Sequence, residues 1–565
     1  MKTKQCIISI FLILITTNVN AQEYHVTKDG SDGNSGSETS PWKSIQHAMD
    51  YATPGSTVHI HAGIYKEALY VNVSGTDNNY ITFIAFEDDE VIIDAEGQTS
   101  TAVIEVYNIH HIALENLIIR NHQRNDAIGI LVEGACDHIR IDDCEIYDIH
   151  FSSDPNAAVS SETNAHAIAV YGDDEDHDIT DLEILDNEIH DCRLGYSEAL
   201  VVNGNIDGFI INDNEVYDVT NIGIDIIGHE GTCSDPSKDI ARNGLISQNT
   251  TYNCLSPYAT AAGIYVDGGK NLIIEQNRVY NNQWGVEIGC ENIGKTTDNI
   301  IVRNNLVYGN TSAGLAIGGY EYPSGSGKVT NVVVTNNTFY GNDTEEDYAG
   351  ELYMSYCENI EINNNIFYGT ASTGYVLSSE DLIASVGVKF KNNNWLSSLG
   401  EGEEEYYYYG GNYQGLAEFE AAVSDVTSSL STDPNFISLE AELDFGLQAE
   451  SAMINMGRLG SDIGEQDFSE NSRVVDGNVD IGAYEYNASL STKAESISTI
   501  KVYPNPVNHI LQTEGGQVLK IYTADGRTKF NNLVYQTRKI DVSEWESGLY
   551  IVHLSDGHVK MIIVE

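Results

Sequence analysis

The chain has 565 residues, 41% of them hydrophobic and 9% aromatic, with 9 prolines; this is enough apolar material for a large core and too little proline for global disorder. Against 28 Lys and Arg stand 85 Asp and Glu, a formal charge of −57, which opposes nucleic acid or anionic membrane as partners. A solvated acidic surface accounts for such a total by itself, whereas cation binding requires the acids to be clustered.

The first stretch, Met1 to Ala21, has two early lysines, a short apolar run and a small residue at the cut, the layout of a cleaved signal peptide. No later apolar run is long enough to cross a membrane, so an exported protein is expected, a monomer with no transmembrane segment.

Eight segments then align, beginning at Ile139, Leu182, Phe209, Gly244, Leu272, Ile300, Val332 and Ile360. Their shared asparagine falls at 187, 214, 249, 277, 305, 337 and 365, with Cys144 in its place in the first. The intervals are 27, 35, 28, 28, 32 and 28 residues. A second short strand lies between successive segments, as in HAIAVYG, EALVVNG, GIYVDGG and GVEIGCEN. Short strands and turns at this period describe coils that cover one another's apolar faces, an all-β, right-handed parallel β-helix. Equivalent asparagines would stack about 4.8 Å apart and bond one another inside a turn, a structural role. The expected domain limits are 1–21 signal peptide, 22–486 β-helix (22–97 cap and first coils, 98–375 regular coils, 376–486 irregular coils), 487–499 linker and 500–565 a small β-sandwich-like domain.

Side chains on a strand alternate in and out. With Ile224, Ile226, Ile264, Val266, Val286 and Ile288 inside, one outward column is Val201, Asp225, Tyr265, Glu287, Ala316 and its neighbour is Asn203, Ile227, Asp267, Gly289, Gly318. His229, Glu230, Lys270, Glu291 and Tyr320 lie just beyond the strands. Acids thus gather in three consecutive coils beside aromatics and small residues, suggesting a cleft for an extended polysaccharide. Two chemistries use such a cluster. In β-elimination from a uronic-acid polymer, Asp225, Asp267, Glu287 and Glu230 supply hard oxygen ligands for Ca²⁺, Lys270 or His229 is the base and Tyr265 the proton donor. In hydrolysis, a pair among Asp225, Asp267 and Glu287 serves as acid and as activator of water. Asn203, Arg242, Tyr320 and Glu291 are expected to contact substrate. The third reading is a non-catalytic glycan-binding or adhesin solenoid.

YHVTKDGSDGNSGSETSPWKSIQHAMDYATPGSTVHIHAGIY at the start and DPNFISLEAELDFGLQAESAMINMG with VDIGAYEY near residue 486 resemble the opening and closing segments of polysaccharide lyase family nine and the wider pectate-lyase-like superfamily. That resemblance implies a helix capping the solenoid, and an acidic calcium site with a lysine base. After Tyr486, KVYPNPVNHILQ, YTADGR and SGLYIV resemble the C-terminal sorting domain of the type IX secretion system. This implies a Bacteroidetes-type bacterium, the type IX machinery as partner, and a secreted or surface protein. GEGEEEYYYYGGN at 400–412 reads as a solvated loop. Seven cysteines remain after the signal peptide, with Cys233 and Cys254 a candidate disulfide pair.

Overall fold

The computed structural model describes residues 22–380, 383–440, 443–486 and, within 501–564, the strands and a few neighbouring positions. The expected signal peptide and linker lie outside the described residues. The chain divides into two compact units, 1–486 and 487–565.

The first unit is the parallel β-helix that the repeat predicts. A 14-stranded sheet begins with Glu23–Val26 and ends with Val426–Thr427, and a further set of strands resolves into two parallel ladders. One coil consists of Lys270–Glu275, Arg278–Tyr280 and Trp284–Gly289; the next consists of Thr296–Arg303, Leu306–Tyr308 and Leu315–Ile317. Register is kept on all three faces, Leu272 lying beside Ile300, Val279 beside Val307 and Val286 beside Leu315. These apolar residues fill the interior of the solenoid and are at most 1% exposed.

The asparagine column forms at the turn between the first two strands of each coil. Asn277 donates from Nδ2 to Asn305 Oδ1 (2.9 Å), Asn305 to Asn337 (2.9 Å) and Asn337 to Asn365 (2.9 Å). The series starts at the Cys144 backbone N–H, which donates to Asn187 Oδ1, and continues past Asn365 to Asn393. Each preceding residue, Gln276, Asn304 and Asn336 among them, has φ near 57°, a left-handed turn conformation that suits asparagine. A second series, not foreseen, runs along the next turn: Asn282 accepts from the Cys254 N–H, Asn310 from the Asn282 N–H, and Asn342 from Asn310 Nδ2 (2.7 Å). Glu351 ends it, accepting from the Asn342 amide and backbone N–H.

The helix Ile45–Tyr51 packs Ile45, Ala48 and Met49 onto the core, and the Ser44 side chain accepts from the His47 N–H to cap it. At the other end the 400–412 loop is not solvated. Glu405–Tyr408 and Gly411–Gln414 form an antiparallel hairpin, and Tyr406 is fully buried, stacked on Phe419 of the helix Leu416–Ala422 at 4.4 Å. Of the irregular coils expected over 376–486, those up to Val426–Thr427 continue the solenoid sheets. From Phe436 the chain leaves the solenoid axis and lies along its outer face, where Phe436, Phe445, Leu447, Met453 and Ile481 pack with Leu306 and Ile366.

Cys233 and Cys254 do not pair; all seven described cysteines are free and buried. Cys254 sits inside a coil turn while Cys233 lies against the Asp174 carbonyl, so different layers separate them. The second unit contains a three-stranded and a four-stranded sheet, both antiparallel, around Leu511, Ile521, Ile540, Tyr550 and Val552. Among the described residues no helix is long and apolar enough to cross a membrane.

Candidate active site

The site lies on four successive strands, Arg193–Gly204, Thr220–Ile227, Ala262–Asp267 and Trp284–Gly289. Alternation sets it out as expected. Ile224, Ile226, Ile264, Val266, Val286 and Ile288 are fully buried in the core, while Val201, Asp225, Tyr265, Glu287 and Ala316 form one outward column by register. Asp267 lies beside Gly289 in the neighbouring column. The floor is nevertheless shielded from water. Asp225 is 2% exposed, Asp267 4% and Tyr265 6%, and Tyr196, Ala259 and Thr260 line the same space.

Two cavities result, of about 880 and 710 Å³, and Thr260, Tyr265 and Glu291 line both. The first also holds Glu198, Asn203, Asp225, Glu230 and Asp267. The second holds Glu287, Trp284, Tyr353 and Tyr320 around the small residues Gly289, Ala316 and Gly318. Trp284 and Tyr353 meet edge to face at 5.4 Å, an apolar wall suited to the face of a sugar ring.

The electrostatics are one-sided, since no Lys or Arg lines either cavity among the described residues. Burial, followed by the charges of Glu198, Asp267 and Glu291, pushes the Asp225 carboxyl well above the usual range, and its Oδ1 is buried without a hydrogen-bond partner. Asp267 is raised well above its ordinary value by burial and Glu291, although its Oδ1 accepts from the Glu291 N–H at 2.6 Å. Burial and then Glu291 push Glu198 to about 8 and Glu287 to about 7. Glu291 stands at the mouth, exposed. Partial enclosure and Glu230 raise it, while the Tyr265 hydroxyl, donating at 3.4 Å, opposes the rise. Burial also lifts the Tyr265 phenol well above its ordinary value.

Beside the acids, burial pushes His166 down to about 4. Its Nδ1 lies 3.0 Å from the Glu198 carbonyl, which only accepts, so Nδ1 carries the proton; Nε2 then accepts from the Tyr171 hydroxyl at 3.0 Å.

The structure therefore brings together Asp225, Asp267, Glu287, Glu291, Glu230, Tyr265, Asn203 and Tyr320. It does not bring in the three basic residues. Lys270 follows the Gly268–Gly269 turn onto the 14-stranded sheet, where it pairs with Asp298 at 3.3 Å and lies in register with Arg242. Arg242 is held by Asp207 and Asn205. The glycine pair ends one strand and starts another sheet, so Lys270 leaves the cavity; Arg242 lies on that same sheet, in the strand Ala241–Ser247. His229 lies behind the strand end, its backbone N–H bonded to the Asp239 carbonyl, and lines neither cavity. Glu198 and His166 escaped the sequence reading. Glu198 follows a register shift between Arg193 and Glu198, which breaks the alternation that located the other acids.

Calcium takes six to eight oxygens around one point. The cavity supplies hard oxygen donors, including the unpartnered Asp225 Oδ1. Among the described residues, however, no three of its acids bring ligand oxygens within 4.8 Å of one another. The arrangement does not fit a preformed calcium cage.

A long solenoid with an acid-lined, aromatic-walled cleft, followed by a separate C-terminal unit, defines a right-handed parallel β-helix protein. Residues 24–212 match the model of the Pel9A-like, right-handed β-helix region, and residues 501–565 match the secretion system C-terminal sorting domain. The chain belongs to the same family as the uncharacterized protein YwoF of Bacillus subtilis, with 35% identity over 465 residues, 78% of this chain and 96% of that one. It is also similar to pectate lyase PEL9 of Emericella nidulans, 39% identical over 85 residues, 15% of this chain and 21% of that one. Among solved structures, the XylC complex with xylose aligns with a TM-score of 0.49 and 12% identity, over 82% of this chain and 98% of that one. Pectate lyase Pel9A aligns with a TM-score of 0.41 and 15% identity, over 83% and 98%.

Proposed function

We propose that the chain hydrolyses glycosidic bonds in a neutral glycan, with Glu287 as proton donor and Glu291 as the ionised partner. One observation carries this reading: Glu291 lines both cavities beside Glu198, Asp267 and Glu287, whose carboxyls are raised first by burial and then by its charge, and no Lys or Arg lines either cavity among the described residues. A carboxyl that keeps its proton beside a second, more exposed carboxyl is the usual acid and base arrangement of such reactions.

Glu287, held near 7, keeps a proton at mildly acidic pH and delivers it to the glycosidic oxygen as the bond to the anomeric carbon breaks. Glu291, exposed where the two cavities meet, faces the positive charge developing on that carbon and directs water to it. Asp267 is a positioning residue that holds Glu291 through its backbone N–H. A polyuronate would find no cation here to offset its carboxylates, which favours an uncharged substrate.

The test is to incubate the full chain with neutral and uronic polysaccharides, measuring reducing ends and absorbance in the unsaturated-uronate band, with calcium or with chelator. Reducing ends without absorbance, insensitive to chelator, support hydrolysis. The second reading is calcium-assisted β-elimination, favoured by the 85-residue similarity to pectate lyase PEL9. A calcium-dependent rise in absorbance would establish it in place of hydrolysis. No product from any glycan would leave a binding solenoid as the better description.

A further inference from the structure

Far from the cavity, the turn that opens each strand of the 14-stranded sheet carries its own column of side chains. In the later coils these are asparagines at 243, 271, 299, 331 and 359, all with φ between 54° and 61°. They chain together, Asn271 donating to Asn243 at 3.0 Å and Asn299 to Asn271 at 2.9 Å. The earlier coils break the rule, with Asp181 and Gly208 at this position in the two before Asn243. Register places His111 and His138 at the same position, with φ of 56° and 54°. Imidazoles cannot repeat the amide-to-amide bond. Instead the rings stack at 4.2 Å, 8° from parallel.

Their nitrogens are arranged in two sets. His138 Nδ1 is 2.9 Å and His111 Nδ1 3.5 Å from the same atom, Asp137 Oδ1. On the other side, His111 Nε2 lies 3.5 Å from Asp77 and His138 Nε2 3.6 Å from Asp181. His111 is 6% exposed, and its Nδ1 is buried with no hydrogen-bond partner. One ligand atom each from His111, Asp137 and His138 lies within 4.8 Å of the others. Two imidazole nitrogens and a carboxylate are the donors that zinc and its neighbours among the transition metals select over calcium or magnesium. Metal-bound histidines characteristically turn the other ring nitrogen to a carboxylate, the place Asp77 and Asp181 occupy.

We propose that His111, Asp137 and His138 bind a divalent transition-metal ion of the zinc class, separate from the acidic cleft and clipping two neighbouring coils together. A small splay of the stacked rings brings both Nδ1 atoms to the roughly 2.0–2.1 Å that a zinc–nitrogen bond requires. The open position left by three protein ligands is filled by water.

The experiment titrates Zn²⁺ into the full chain by calorimetry under excess Mg²⁺, which occupies the general acidic surface, and records the melting temperature with and without zinc. His138→Asn and His111→Asn restore the residue that later coils carry, so both variants are expected to fold with an unchanged metal-free melting temperature; Asp137→Asn is the second route should either be unstable. A single site in the parent chain, at least about tenfold weaker in these variants and with the zinc-dependent rise in melting temperature lost, supports the proposal. A parent chain without a site above the magnesium background, or variants that bind zinc as the parent does, overturns it. Asp267→Asn, in the cleft, is expected to leave the zinc site intact; loss of zinc there would assign the ion to the cleft instead.

Discussion

Glu287 and Glu291 are four residues apart in sequence, and the proposed hydrolysis gives them different roles. Replacing either by Gln removes the proton donor or the charge while keeping the shape. Each change is expected to lower kcat/KM on the substrate found in the product assay by at least about 100-fold, with the circular dichroism spectrum unchanged. The pH profile separates the two roles. A donor with a pKa of about 7 is lost as the pH rises through that value, so the parent activity should fall above neutrality, and Glu287→Gln should abolish that limb in whatever activity remains. The positions of Asp225, Asp267 and Glu287 were legible in the sequence because a period of two leaves no choice of face once the core residues are known. Lys270 and Arg242 were misplaced because sequence proximity to the acids does not report that the chain has passed to another sheet, at a Gly-Gly turn in the case of Lys270.

Within a coil, the asparagine turn connects each element to the next. Asn305 bonds the Ile274 and Arg303 carbonyls and Asn337, and accepts from both the side chain and the backbone N–H of Asn277. Asn305→Ala strips partners from buried groups above and below it. Unsatisfied buried polar groups cost about 1–3 kcal/mol each, so a loss of roughly 3 kcal/mol or more is expected in denaturant unfolding, while Asn253→Ala, at a half-buried turn with φ 55° and a single side-chain bond to Asp218, should cost less, about 1–2 kcal/mol. The column from Asn187 to Asn365 was readable because the residue type repeats at a nearly fixed interval. The second column was not, since it passes from Cys254 through three asparagines to Glu351 and shares geometry without sharing a residue type. The 400–412 hairpin was misread for a related reason: a run of acids and tyrosines looks polar, yet Tyr406 and Glu404 are fully buried.

At the scale of the whole molecule, the buried acids tie stability to pH. Glu198 at about 8, Glu287 at about 7 and Glu351 at about 8 all lie above their unfolded values of roughly 4.3. The folded state therefore binds more protons than the unfolded state between those limits, and stability falls as pH rises. The contribution is fully present below about pH 4 and gone once the pH passes about 8. The melting temperature should drop between pH 5 and pH 9, and Glu198→Gln should flatten that drop; a melting temperature that rises over the same range would contradict the buried, protonated assignment.

The segment after Phe436 gives this solenoid a property that stacked repeats ordinarily lack. Coils in such proteins answer mainly to their immediate neighbours, but this segment bonds to residues spread along the cylinder: Gln248 to Glu470, Asn304 to the Ile463 carbonyl, Asn336 to the Asp480 carbonyl and Asn364 to the Arg458 carbonyl. It acts as a strap across several coils, and its docking track does not exist until those coils have stacked. During synthesis, which proceeds from the N-terminus, the coils wait as a partly finished, loosely cooperative column. Arrival of this segment, rather than of any single coil, is the event that ties the coils it crosses into one cooperative body.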